Sequence, residues 1–598
     1  MISRRNFITI FIMMVVIFFL FMFTGAAKIV FSKYKTNEYI PSFVPVEDSD
    51  AEIEKLREGD VLYLGEDEEI LTLVSEWCRY YRRNLCQISA DESFEGELSD
   101  VSFLVVDGAS VTEDEIELIT DANKKGCMVC FATVPSTDFL REHTDLAQLM
   151  GIHTIQRDTT KLIGIHLYSG FLLGGEVVYL PSDERAMKYQ DMNLDVPWFV
   201  LESASKVYMS GVLNQAYEET DSTYVPPILW RYNTGTGYVF AVNSDYMKSL
   251  SALGIYTAME GSVQDTYVYP VINSQNIVFV NYPSFAEENA EEIQELYSRK
   301  PMNFLQSLVL PIVTKVTSSN HLTPSFMISS KLDYGFSGEM KNDYYDTFFE
   351  SIRECHGEVG LDFVPYKNAT SEEKIKADMD YFRNFEEYHY YSAYIGDMDR
   401  KEAKDAALNV YEEIATLICD YSDEDGLISS EDNYIYLSPT TSSQYYTYGK
   451  DFTMRSVETA LGYSMSLQDM SGCLYPKSKK DHMQVFAEYF AGCIDTLYKN
   501  FDKFQATSIT ECSNRVREFL VLDYEIKMSD DQKKMVIETN SYGMKQSFIL
   551  RLKNQRIKKI SDGTFTKLED DVYLVSFDTS STEITLEENK HSLLKFFE

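Results

Sequence analysis

Residues 7–27 read FITIFIMMVVIFFLFMFTGAA, with no charge and with Thr9 as the single polar residue ahead of the Thr24-Gly25 end. As a helix, at ~1.5 Å per residue, the run reaches roughly 30 Å, the thickness of a bilayer hydrocarbon core. No face of it is polar, so it is not the amphipathic helix of a soluble core. It is either an anchor or a cleaved signal peptide. Its length exceeds the ~7–15 apolar residues of a signal peptide and favours the anchor, while Gly25, Ala26 and Ala27 keep cleavage open. Arg4 and Arg5 precede the run and Lys28, Lys33 and Lys35 follow it, so local charge barely selects an orientation. A long following domain translocates largely regardless of such charge. No second span follows. The expectation is a single-pass cell-membrane protein, anchored through residues 7–27, with an extracytoplasmic bulk.

The 598 residues, 44% of them hydrophobic, suffice for several domains with real cores. A formal net charge of −40 argues against nucleic acid, whose phosphates need a basic face. The acidity reads as a solvated, soluble surface. A sharper reading is attraction to a cationic partner such as a partly deacetylated amino-sugar polymer. Nine cysteines, odd in number and sparse, do not make a disulfide framework. Cys127 and Cys130 form a C-x-x-C with no second pair at zinc spacing. They read as strand cysteines packed as small apolar residues.

Residues 28–56 form a polar stalk. An alternation of strands and helices then begins. Strands are expected at 60–65, 85–89, 101–107, 126–134 and 238–243, with 277–283 closing the set. Helices are expected at 67–82 and 112–125, the latter opened by a capping box of Thr112 and Glu115. Such alternation implies βαβ units and a parallel sheet. Residues 286–322, with two helices, read as a bridge. From 323 the alternation restarts, with strands near 324–335, 359–366, 387–396 and 434–439. Helices are expected at 342–356, 371–385, 399–420, 453–467 and 481–502. The tail, from 516 to 598, has short alternating strands and reads as a small β-sandwich.

The segments VVDGAS (105–110), TEDEIELITDANKKGCMVCFAT (112–133), LAQLMGI (146–152), GTGYVFAVNSDYM (235–247) and LGIYTAM (253–259) resemble the flavodoxin-like or class I amidotransferase-like fold. That resemblance implies a parallel-sheet domain over 57–285. The enzymes of the fold need a cysteine on a tight strand-to-helix elbow with a late His and Glu, and these are not found. Residues 64–69 are acidic where a phosphate loop would sit. The domain therefore reads as a binding or scaffolding unit, without a cofactor.

The order of elements over 323–515, and the closing segment 471–526, resemble the polysaccharide deacetylases. The resemblance implies a distorted (β/α) barrel in which an Asp and two His hold a metal and a second Asp acts as base. With the flanking units, the arrangement is similar to the C-terminal part of the Pel exopolysaccharide deacetylase. It is similar also to an uncharacterised family of bacterial membrane-anchored proteins that accompany exopolysaccharide genes. The motif positions depart from the pattern. Ser330-Lys331-Leu332-Asp333 stands in place of Thr-Phe-Asp-Asp. His389 occupies the first position of the His-x-x-x-His motif and Ala393 the second, and Tyr475-Pro476 replaces a His-Pro pair. Catalytic metal sites normally use three protein ligands. Asp333 and His389 are thus remnant candidates, with no metal expected. His143, His153, His166, His321, His356, His482 and His591 show no paired spacing. Tyr388, Tyr390, Tyr391, Tyr394 and Tyr475 are candidates for a sugar-stacking wall.

The expected overall class is α/β: anchor (1–27), stalk (28–56), flavodoxin/amidotransferase-like domain (57–285), bridge (286–322), degenerate deacetylase-like barrel (323–515) and β-sandwich (516–598). The expected function is non-catalytic. The chain holds an exopolysaccharide or scaffolds a membrane-embedded synthase or export complex. The alternatives are a divergent metal-dependent deacetylase and a purely structural synthase partner.

Overall fold

The computed structural model describes residues 13–15, 60–88, 98, 100–184, 186–213, 225–338, 340, 342–385, 389–423, 425–442, 445–541 and 543–589. The expected anchor lies outside the described residues except for 13–15. Among the described residues no helix is long and apolar enough to cross a membrane.

The first sheet has ten strands. Its parallel part contains β1 (Asp60–Leu64), β2 (Leu85–Ile88), β3 (Val101–Asp107) and β4 (Met128–Thr133). An antiparallel extension follows: β5 (Ile152–Leu167), β6 (Val177–Tyr179), β7 (Leu194–Leu201), β8 (Lys206–Leu213) and β9 (Pro227–Asn233). β10 (Tyr238–Val242) joins the two parts, parallel to β4 and antiparallel to β9. Every residue of β4 is buried, as expected for a strand covered on both faces. Cys127 and Cys130 are buried, and burial pushes the Cys127 thiol up to about 12. The helix expected from Thr112 starts at Glu115. Glu115 still reaches back to the Thr112 N–H, at 2.7 Å.

β11 (Thr266–Val271) leaves this sheet for another, described below. β12 (Ser274–Val280) does not close the first sheet, as its sequence suggested. It pairs in parallel within a second sheet. That sheet continues with β13 (Pro324–Ile328), β14 (Glu358–Asp362), β15 (Ser392–Gly396), β16 (Thr416–Cys419), β17 (Ile428–Glu431), β18 (Tyr434–Leu437), β19 (Thr441–Ser442) and β20 (Tyr463–Asp469). All but the edge strand β17 run parallel. The residues read as a bridge are the helical crossover from β12 to β13, with helices such as Ala290–Tyr297 and Leu310–Ser319. The helix expected over 399–420 ends at Val410, and the apolar β16 follows it. The helix expected over 453–467 ends at Leu461. Gly462, at φ 55°, turns the chain into β20.

The order β18-β16-β15-β14-β13-β12-β20-β19 sets β18 and β19 at opposite ends of the parallel run. A flat sheet would hold them about 34 Å apart at ~4.8 Å per strand. Yet only Ser438–Thr440 connects them, a reach of about 14 Å. The sheet therefore curls into a half-barrel, with the C-terminal ends of its parallel strands forming a mouth.

The tail forms two four-stranded sheets. Its strands are β21 (Tyr524–Met528), β22 (Lys534–Thr539), β23 (Gln546–Leu552), β24 (Gln555–Ile560), β25 (Thr564–Glu569), β26 (Val572–Phe577) and β27 (Ser581–Glu588). β11 supplies the edge of one of them by pairing with β23. The helices Ser251–Val263 and Tyr448–Leu461 join the first sheet to the half-barrel. Their contact is backbone-close: a Cβ on Gly254 would collide with the Ser456 carbonyl.

Candidate functional site

A parallel αβ sheet gathers its loops at the C-terminal strand ends, where side chains converge without breaking the ladder. In the half-barrel, β14 ends at Asp362 and β20 at Asp469, and Asn281 and Asp420 directly follow the last residues of β12 and β16. A cavity of about 570 Å³ opens there, lined by Asn281, Tyr366, Tyr394, Asp420, Tyr421 and Asp469 among others. The Tyr394 hydroxyl donates to Asp420 Oδ1 at 3.2 Å, and the Asn281 side-chain amide donates to Asp469 Oδ1 at 2.9 Å. Asn281 adopts φ 57°, which asparagine tolerates better than most residues. Burial raises the Tyr394 phenol far above its ordinary range, and the charges of Asp420 and Asp362 add to the shift.

Asp362 lies beneath this cavity and is buried. Both of its oxygens accept backbone N–H groups, Oδ1 from Val364 at 2.9 Å and Oδ2 from Asn281 at 3.2 Å. Burial pushes its carboxyl up to about 6, against the pull of the Lys374 charge. Its bonding ties the β12 and β14 ends together. The mouth therefore presents Asp420 and Asp469 to solvent, and Asp362 supports them. Tyr421 is set from outside the half-barrel. Its hydroxyl donates at 3.2 Å to Glu76, on the helix Glu68–Tyr81 of the first unit. The buried Glu76 also accepts from Leu427 N at 2.6 Å and from the Tyr80 hydroxyl at 2.5 Å.

Asp333 follows β13 and stands on the same side as the mouth. Its Oδ1 accepts from Asn368 Nδ2 at 2.8 Å and Gly335 N at 2.9 Å. Burial opposes its charge, but these bonds and Lys367 outweigh burial and hold the carboxyl below its usual range. Its own N–H donates to the buried Glu288, which also accepts from the Tyr475 hydroxyl at 2.8 Å. The Tyr475 ring lies against Tyr366, with centroids 5.6 Å apart, so Tyr475 extends the mouth's aromatic wall.

His389 precedes β15, and its Nδ1 lies 2.7 Å from Glu413, which precedes β16. β13 to β16 are parallel, so His389 sits at the N-terminal end and Asp333 beyond the C-terminal end. The strand direction separates the two remnant candidates, and they form no common site. Tyr390 is buried under the half-barrel, with its hydroxyl 3.3 Å from that of Tyr345. Tyr391 stacks on His389 at that same end. Of the proposed wall, Tyr394 and Tyr475 reach the mouth, Tyr390 and Tyr391 do not, and Tyr388 lies outside the described residues. Among the described residues no three His, Cys, Asp or Glu side chains are placed to hold a metal ion.

Sequence reasoning missed Asn281, Asp420, Tyr421 and Asp469. A signal was present: apolar strands ending in a polar side chain, as in IVFVN (277–281), TLICD (416–420) and MSLQD (465–469).

Residues 105–361 match a family described as "Uncharacterised protein conserved in bacteria (DUF2194)". The match begins in β3 and ends in β14, so it spans parts of the first sheet and of the half-barrel. No curated protein matches the chain. Among solved structures, the exo-β-1,4-mannosidase Op5Man5 from Opitutaceae bacterium strain TAV5 is 14% identical, with a TM-score of 0.22. That likeness covers 32% of each chain, so this chain spans about a third of the mannosidase. A chain of the PurLQS structure from Thermotoga maritima is 10% identical, with a TM-score of 0.20, over 35% of this chain and 100% of that one. At such scores neither neighbour informs fold or function.

Proposed function

We propose that the half-barrel mouth is a non-catalytic glycan-binding site. In this reading the protein is anchored in the cell membrane through residues 7–27, with its bulk extracytoplasmic. It holds an exopolysaccharide or docks a membrane-embedded synthase or export complex. The observation that carries the proposal is the mouth itself. Tyr366, Tyr394 and Tyr421 line one open cavity with their rings, and Asp420 and Asp469 offer acceptors around it. Aromatic faces suit the apolar faces of pyranose rings, and carboxylates accept from sugar hydroxyls or ammonium groups. An acidic chain with carboxylates at the mouth favours a polymer carrying free amines.

A deacetylase reading draws no support from the side-chain geometry. Asp333 and His389 stand at opposite strand ends, and the described residues hold no three-ligand cluster. Asp362 is a poor general acid, because both of its oxygens are committed to backbone N–H groups.

The test is calorimetric titration of the full-length protein with glucosamine and N-acetylglucosamine oligosaccharides. Binding is expected to be stronger for the glucosamine series and to weaken at least about tenfold in Tyr394→Ala and in Asp420→Asn. No saturable heat with either series, or equal binding by those variants, refutes the site.

A further inference from the structure

We propose that the cavity where the two large sheets and the sandwich meet is an oxyanion-binding site anchored by Arg551. The cavity measures about 640 Å³, within the ~300–1,000 Å³ of small-molecule sites. It lies among the 169–175 loop of the first unit, the turn around Phe501 and the sandwich strands β23 and β26. It is separate from the half-barrel mouth, and the inference does not depend on the glycan reading.

Arg551, at the end of β23, lines this cavity and is only 6% exposed. Its Nε and Nη2 are buried, and no carboxylate pairs with the guanidinium among the described residues. Its neighbour Tyr269 brings no compensating charge. Burial raises that phenol, and the charge of Arg551 and its hydrogen bond to the phenol oxygen only partly oppose the rise. A buried guanidinium without an anionic partner costs free energy unless one arrives. Nε and Nη2 form one edge of the guanidinium, the edge that grips two oxygens of a carboxylate or phosphate. Both atoms are covered by protein, so binding includes a turn of the guanidinium toward the cavity.

More positive charge surrounds the same space. Lys206, Lys503 and Lys553 also line it. Burial holds the Lys206 ammonium below its usual range, and the Arg231 charge adds to this. Lys553 is depressed likewise by burial, with Arg231 and Lys206 acting against it and Asp265 for it. In a chain of net charge −40, such crowding of cations is a local reversal. Glu569, Asp570 and Asp571 share the wall. Glu569 accepts from the Gly175 N–H at 3.0 Å, Asp570 pairs with Lys567 at 3.2 Å and Lys553 lies 3.9 Å from Asp265, so Lys206 and Lys503 are the lysines that face an incoming anion. Gly170 and Gly175, at φ +83° and +75°, have open space where a Cβ would stand, so a ligand can lie against the loop backbone.

The ligand class is therefore a small molecule or sugar bearing a carboxylate or a phosphate. Full-length protein is titrated calorimetrically with inorganic phosphate and with sodium glucuronate, at ionic strength held constant with sodium chloride. Saturable binding of at least one probe is expected. Phosphate alone identifies a phosphate group, glucuronate alone a carboxylate, and both a general oxyanion site. Arg551→Gln is expected to weaken binding at least about tenfold. Because that change is in the interior, the double variant Lys206→Gln/Lys503→Gln, at two exposed positions, is measured beside it. It is expected to melt like the parent and to bind at least about threefold more weakly. Absence of saturable heat with both probes, or binding unchanged in the double variant, overturns the proposal.

Discussion

Single residues carry two consequences that can be measured directly. Glu458 is buried on the helix Tyr448–Leu461, where it accepts from Gln275 Nε2 at 2.9 Å. Burial pushes its carboxyl up to about 7 from an ordinary 4.5. The folded chain thus binds a proton more tightly than the unfolded chain does. This group favours folding most below about pH 4.5, and that contribution is lost as pH rises through 7. Glu458→Gln keeps a side-chain acceptor oxygen for Gln275 and removes the titration. Its stability relative to the parent is expected to rise by about 2–3 kcal/mol between pH 5 and pH 8, read from urea midpoints. A difference that stays flat over that range contradicts the assignment. Gly254 marks the other consequence. Gly254→Ala places a methyl against the Ser456 carbonyl, and the two helices must separate. The expected loss is about 3 kcal/mol in chemical denaturation. A variant as stable as the parent means that the helices do not approach so closely.

At the scale of elements, the helix Glu68–Tyr81 belongs to the first sheet's layer but reaches into the half-barrel. The carboxylate of Glu76 is its point of attachment to Tyr421 and Leu427. Glu76→Ala leaves the Leu427 N–H and the Tyr80 hydroxyl without this acceptor, at an expected cost of about 2–4 kcal/mol. Tyr421→Phe removes one bond of the same network and is expected to cost about 1 kcal/mol. The double variant is expected to lose less than the sum, because both changes act on one network. Strict additivity in a double-mutant cycle counts against Glu76 as the residue that orients Tyr421. Both single variants are also expected to weaken oligosaccharide binding at the mouth.

For the whole molecule, the net charge of −40 is spread over a chain that packs two large sheets and two four-stranded sheets together. Like charges repel more in the compact state than in an expanded one. Raising sodium chloride from about 10 mM to about 300 mM shortens the screening length from ~30 Å to under ~8 Å. The melting temperature is expected to rise over that range. A fall indicates that specific ion pairs, such as Lys248–Asp67 or Arg455–Asp451, outweigh the general repulsion. Carboxylates at the mouth predict that binding of a cationic oligosaccharide weakens over the same salt range.

Local pattern alone determined much of this chain: the buried strand 101–107 and a strand within 126–134, the helix near 67–82, the restart of alternation near 324, and the β-rich tail. These follow from side-chain period and capping, which act over a few residues. Tertiary structure decided the rest. The stretches Thr416–Cys419 and Tyr463–Asp469 continue helix-like runs in sequence, yet parallel partners on both sides make them strands. The strand Ser274–Val280 has the composition of the first sheet but pairs in the second, since a strand's own residues do not name its neighbour. Asp333 and His389 are motif positions in sequence, and strand direction sets them at opposite ends. Asp420 and Asp469 are ordinary acids among 94 until the half-barrel curls and brings their strand ends to one mouth. Which carboxylates meet is a property of strand order and curvature, and these depend on contacts between residues far apart in the chain.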